Sequence, residues 1–160
     1  MRANYQHGLR WGVGIMIAGG ADHLVTENEC RDDLCAIRVT ATERARVDHN
    51  RAETRWWGIH VLDATDTVVQ SNKMWRVMRA VDVEGAKTSG TLVERLLAEH
   101  CDSGVVIQRG ADATRVVDSW LHDCRVGLLV WEAGTVDVTN TAISEPRDHE
   151  IVADRAIDVT

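Results

Sequence analysis

The chain has 160 residues, and its 25 acidic and 18 basic side chains give a formal charge of −7. That charge is spread over the whole length, which argues against a nucleic-acid surface and leaves no polybasic patch for a membrane. A single proline, no phenylalanine and many Val, Thr and Ile favour short strands over helices in what reads as one domain.

Residues 1–13, MRANYQHGLRWGV, contain no long amphipathic helix and are expected to be a cap or a partial coil. From Gly14 onward one signature recurs, in the order small, apolar, any, apolar. It reads Gly14-Ile15-Met16-Ile17, Ala36-Ile37-Arg38-Val39 and Gly58-Ile59-His60-Val61. It continues through Ala80-Val81-Asp82-Val83, Gly104-Val105-Val106-Ile107 and Gly127-Leu128-Leu129-Val130, with intervals of 22 to 24 residues. Asn28, Asn50 and Asn72 keep the same 22-residue spacing, and each follows a valine, Val25, Val47 or Val69, three positions earlier. A period in the twenties with one strand motif per repeat means stacked units that contact only their neighbours. Leucine-rich repeats share the period, but their strings of leucines are absent.

The small-apolar-any-apolar opening followed by an asparagine resembles the right-handed parallel β-helix repeat of the pectate-lyase-like superfamily, over roughly residues 12 to 145. The expected fold is therefore all-β, a right-handed parallel β-helix of six to seven coils of 22–24 residues over 14–149, with an incomplete final coil at 150–160. At about 4.8 Å per rung, six coils make a rod only ~29 Å long with two open ends. Such ends are expected to be met by copies of the chain in a homo-oligomer, or to continue in a longer β-helix.

Alternation with period two puts Ile15/Ile17, Ile37/Val39, Ile59/Val61, Val81/Val83, Val105/Ile107 and Leu128/Val130 in the core. The asparagines read as a ladder at a turn, where Asn tolerates a left-handed backbone and its amide bonds to neighbouring coils. Leu96 and Ser119 stand at the aligned position further on, so the ladder is expected to cover three coils. Cys101 and Cys124 should stack about 5 Å apart on adjacent coils, which permits a disulfide but suits free buried thiols as well. Cys30 and Cys35 match no zinc spacing, and neither a metal nor a cofactor is expected.

The middle residues of the openings form one outward column, Met16, Arg38, His60, Asp82, Val106 and Leu129, and two residues on runs a second, Ala18, Thr40, Leu62, Glu84, Gln108 and Trp131. Arg38, His60 and Asp82 thus fall on adjacent rungs. A histidine between a carboxylate and a guanidinium can be tuned as an acid or base near neutral pH, and the arginine would hold a substrate carboxylate or a developing anion. Glu84, Arg79, Trp56, Trp57, Gln108 and Trp131 are the expected substrate-binding residues, the tryptophans as flat surfaces for sugar rings. The competing expectation is an ordinary polar outer face, where opposite charges on neighbouring rungs stabilise the sheet by a few tenths of a kcal/mol. Glu27, His49, Ser71, Arg95 and Asp118 mimic an acid, base and nucleophile set, but Ser71-Asn72-Lys73 lacks a nucleophile elbow. His100 and the His122-Asp123 pair read as ordinary surface groups.

The resemblance implies carbohydrate chemistry, as a lyase, hydrolase or C5-epimerase, at the Arg38/His60/Asp82 face. Calcium-dependent pectate lyases cluster aspartates on neighbouring coils, whereas Asp82 stands alone in its column. The Asp-Pro-His-Asp type motif of mannuronan epimerases has no counterpart either, because the only proline, Pro146, follows Glu145. Three functions are therefore open: a proton-transfer enzyme on a sugar or uronate, with His60, Asp82 and Arg38 catalytic; a non-catalytic module that binds glycan or assembles with itself; and an intracellular isomerase or cyclase of a small metabolite. No basic segment leads into a long apolar run, so no export signal is read and the cytoplasm is the default.

Overall fold

The computed structural model describes residues 5–7, 12–154 and 158–159. Among them there is no helix, and the strands lie in three parallel sheets of seven strands each, joined only between successive coils. One sheet holds the long strands, Val13–Ala18, Cys35–Thr40, Trp57–Leu62, Arg79–Glu84, Ser103–Gln108 and Val126–Trp131, and closes with His149–Ala153. The second holds strands such as Val68–Gln70 and Leu92–Glu94, and the third holds strands such as Lys73–Trp75 and Trp120–His122. Each coil visits the three sheets in that order. The chain is thus the all-β parallel solenoid that the repeat implies.

Three inward rows fill the interior. Ile15, Ile37, Ile59, Val81, Val105 and Leu128 line the first sheet in one continuous buried row, joined by Val39, Val61, Val83, Ile107 and Val130. Val25, Val47, Val69, Val93, Val116 and Val138 line the second, and Cys30, Ala52, Met74, Ala98 and Leu121 the third. Ile17 is only partly buried against this cluster. All four cysteines are free and buried. Burial pushes the Cys30 and Cys35 thiols up to about 12, so they pack as apolar groups.

The small residue that opens each repeat has a steric cause. Strand register pairs Trp57 with Arg79 and Ile59 with Val81, leaving Gly58 and Ala80 between the paired positions. A Cβ on Gly58 would stand 2.5 Å from the Ala80 carbonyl and would also strike Met74. Glycine is therefore required at Gly58, while Ala36 and Ala80 hold the same place on their own coils.

The asparagine ladder forms as expected. Asn28 donates its backbone N–H and its side-chain amide to Asn50 Oδ1 at 2.9 and 2.8 Å, and Asn50 does the same to Asn72 Oδ1 at 2.9 and 3.0 Å. Ser119 extends the pattern further than three coils, since its hydroxyl accepts from the Leu96 N–H at 3.1 Å. The residue before each rung, Glu27, His49, Ser71, Arg95, Asp118 or Asn140, sits at φ between 49° and 58°. These side chains share a column because the turn needs a left-handed residue there, which accounts for the apparent acid, base and nucleophile set.

The strand Tyr5–His7 pairs with Glu29–Arg31 and adds a rung before the first recognised opening, while most of the expected cap, 1–4 and 8–11, lies outside the described residues. At the other end His149–Ala153 pairs with Val126–Trp131 and is exposed throughout. Residues 155–157 and 160 of the expected final coil also lie outside the description.

Candidate functional site

The insertions in the repeat converge on one corner. From Leu62 to Val68 the chain takes six steps between the first and second sheets, and from Trp131 to Asp137 it takes six again. Between them, Glu84 to Leu92 takes eight and Gln108 to Arg115 takes seven. The additional residues lie in the turns at 86–87 and 109–110, shortly after Glu84 and Gln108. Arg109 directly follows Gln108, at the place that Ala41, Asp63 and Glu132 hold in other coils and with the same left-handed backbone, φ 53°, and its guanidinium returns to Glu84 Oε1 at 2.7 Å. Arg109 belongs to the constellation although the two strand columns do not contain it, because it stands one residue past the second column, in register with Asp63 and Glu132.

The column residues meet as the register requires. Arg38 pairs with His60 and His60 with Asp82 on adjacent rungs, with Leu62 beside Glu84 and Glu84 beside Gln108. Asp82 is fully buried and takes three donors: Trp57 Nε1 at 2.8 Å and Arg79 Nη1 at 2.7 Å on Oδ2, and Gln108 Nε2 at 3.1 Å on Oδ1. The same Gln108 nitrogen reaches Glu84 Oε2 at 3.1 Å. The indole of Trp57 lies over the His60 imidazole, with ring centroids 5.1 Å apart and planes 14° from parallel. Trp57 and Arg79 are the first residues of their strands, and their side chains lean over the column.

This lid changes the character of the face. His60, Asp82, Gln108 and Val106 point outward by alternation yet are buried, with His60 only 5 % exposed. His60 Nε2 is shut off from solvent without a hydrogen-bond partner, 3.5 Å from Glu84 Oε2, and Arg38 Nε is likewise shut off and unpartnered. Burial lowers the His60 pKa below the usual 6.5, against the pull of Asp82 and Glu84 and with the push of Arg38. The imidazole is neutral at pH 7.

The remaining expected residues lie apart. Trp56 is half exposed at the strand entrance, 5.5 Å from Trp57, and Trp131 is 59 % exposed two rungs beyond Glu84. Neither touches His60 in a recorded contact, so the structure gathers Arg38, His60, Asp82, Glu84, Arg79, Trp57 and Gln108 while leaving these two tryptophans on the rim.

The third sheet presents a different surface. On its outer side a shallow groove of about 270 Å³ is lined by Glu29, Arg31, Arg51, Glu53, Lys73, Glu99 and Trp75. A chain of rings continues from there. Trp75 meets His100 edge-on at 6.3 Å, His100 meets His122 at 6.3 Å, and His122 meets Trp120 at 5.7 Å. The Arg76 guanidinium stands over the Trp75 ring, 4.0 Å from its centroid. His100 bonds to Asp123 and holds that carboxyl below the usual carboxylate range, and Trp120 Nε1 donates to Ser144 Oγ at 2.9 Å. Trp75 and Trp120 are 37 % and 51 % exposed. His100 and His122 are therefore part of an aromatic strip, a grouping hidden in the sequence because the third-sheet strands have no apolar triplet to set their register.

Comparison with curated proteins found no match. The profile of the family described as right handed beta helix region matches residues 4–143, most of the chain. The chain belongs to the right-handed β-helix family.

Proposed function

We propose that this chain is a non-catalytic carbohydrate-binding β-helix, and that its recognition surface is the third-sheet strip from Trp75 to Trp120 with the groove beside it. The supporting observation is the run of four rings across three rungs, with Trp75 and Trp120 exposed and Trp75 also lining a polar groove. Sugar rings offer apolar C–H faces and a rim of hydroxyls, which suit an indole face flanked by charged side chains that donate and accept. Three acids and three bases line the groove, and the chain carries a net −7, so a neutral oligosaccharide fits better than a polyuronate.

The proton-transfer reading of Arg38, His60 and Asp82 fares less well. General acid-base catalysis needs a reacting atom within hydrogen-bond reach of the imidazole nitrogen, and Nε2 is buried with Trp57 stacked on the ring. Asp82 is tied down by Trp57, Arg79 and Gln108, and none of these bonds goes to His60.

The experiment is calorimetric titration with a panel of neutral and uronate oligosaccharides. Trp75→Ala and Trp120→Ala are each expected to weaken binding of the best ligand at least about tenfold, about 1.4 kcal/mol. Binding that survives both substitutions unchanged rules out the strip. Turnover of any panel member that disappears in His60→Ala restores the enzyme reading.

A further inference from the structure

We propose that His60, Asp82 and Glu84 form a binding site for one divalent transition-metal ion, independent of the carbohydrate surface. The three residues lie on adjacent strands, and one ligand atom from each falls within 4.8 Å of the others. A second feature singles the cluster out from an ordinary acidic patch. His60 is 95 % buried by its 5 % exposure, its Nε2 has no hydrogen-bond partner, and it faces Glu84 Oε2 at 3.5 Å. A buried ring nitrogen that lacks a hydrogen bond and has only the longer contact to Glu84 is a poorly satisfied polar atom, and a metal bond would satisfy it.

The bonding around the cluster leaves the needed oxygens on one side. Arg79 and Trp57 both occupy Asp82 Oδ2, and Arg109 occupies Glu84 Oε1. The other oxygens, Asp82 Oδ1 and Glu84 Oε2, share one donor, Gln108 Nε2, at 3.1 Å each. That nitrogen therefore sits where a cation between the two carboxylates would sit. Turning the Gln108 amide over would present its carbonyl oxygen instead, a fourth ligand from a residue already in place.

Ligand chemistry narrows the ion. One imidazole and two carboxylates suit Zn²⁺, Mn²⁺, Fe²⁺ or Co²⁺, whereas Ca²⁺ and Mg²⁺ take all-oxygen sets. Tetrahedral ligands at bonds of about 2.1 Å stand about 3.4 Å apart, so the side chains must draw in by roughly 1 Å on binding. Arg38, Arg79 and Arg109 oppose a cation, and Arg109 is the one free to leave because two thirds of its side chain is exposed. The two carboxylates balance the charge of the ion itself.

The test is equilibrium dialysis of chelator-treated protein against Zn²⁺, Mn²⁺ and Co²⁺, with thermal shift as a second readout. One ion per chain is expected, weakened at least tenfold by His60→Gln and by Glu84→Gln, and tightened by Arg109→Ala. His122→Ala, on the distant strip, is expected to leave it unchanged. If no ion binds at one equivalent, or if His60→Gln and Glu84→Gln bind as well as the unaltered chain while remaining folded, the site does not exist. Since the carbohydrate strip shares no residue with this cluster, either proposal can fail without the other.

Discussion

The first and third sheets of the same solenoid carry similar chemistry and treat it in opposite ways. On the first sheet Trp57 lies over His60, Arg79 reaches into Asp82, and the outward column becomes a second, polar interior. On the third sheet Trp75 and Trp120 lie beside His100 and His122, and the rings stay open to solvent. What differs is the lid. Trp57 begins a six-residue strand whose register carries it over the next rung, whereas the third-sheet strands are three residues long and leave their tryptophans beside a groove. An outward position in a β-helix is therefore not yet a surface position, and residue type alone does not separate a site from a strut.

Substitutions on the two faces should separate accordingly. Asp82→Ala is expected to cost about 3 kcal/mol in urea unfolding, because it strands the Arg79 guanidinium and the Trp57 N–H in a closed layer. An unchanged midpoint would mean that the layer opens readily to water. Asn50→Ala, in the turn between the second and third sheets, removes the acceptor of the Asn28 N–H and three donor bonds. Its expected cost is about 2 kcal/mol by the same measurement.

Thr67, Thr91 and Thr114 form a buried column whose hydroxyls have no partner. Thr91→Val should therefore raise stability by about 1 kcal/mol, and a loss would show that the hydroxyl is satisfied. Trp120→Ala sits at the other extreme, changing stability by less than about 0.5 kcal/mol while it weakens sugar binding, as expected of an exposed ring.

Protonation gives a further contrast. Because burial depresses the His60 pKa below 6.5, the unfolded chain binds its proton more readily than the folded one. The contribution of His60 to stability is thus fully present above about pH 6.5 and is lost as pH falls through the lower folded value. In chelator-treated protein, His60→Gln should flatten that part of the stability curve. Equal slopes for the unaltered chain and His60→Gln would show that the imidazole is not held neutral.

The fold was legible because its cause is periodic. Ile37, Ile59 and Val81 recur at fixed spacing, and the small residue before each answers to one carbonyl on the next coil. The partners of His60 on neighbouring strands followed from the same spacing. Two things did not follow. Arg109 stands in the turn just past the strand, outside the two outward columns, and the closure of the His60 layer depends on which way Trp57 and Arg79 lean, a choice that alternation does not encode. The ring strip was hidden for a third reason, since Cys30, Ala52, Met74, Ala98 and Leu121 share a row without sharing a residue type.

Six tryptophans make the contrast directly observable, because each indole N–H gives its own NMR signal. On titrating the chain with the neutral oligosaccharide that binds best, the Trp75 and Trp120 signals should shift in proportion to occupancy while Trp57 stays still. A shift at Trp57 with Trp75 and Trp120 unmoved would contradict the account and place the ligand on the face of His60.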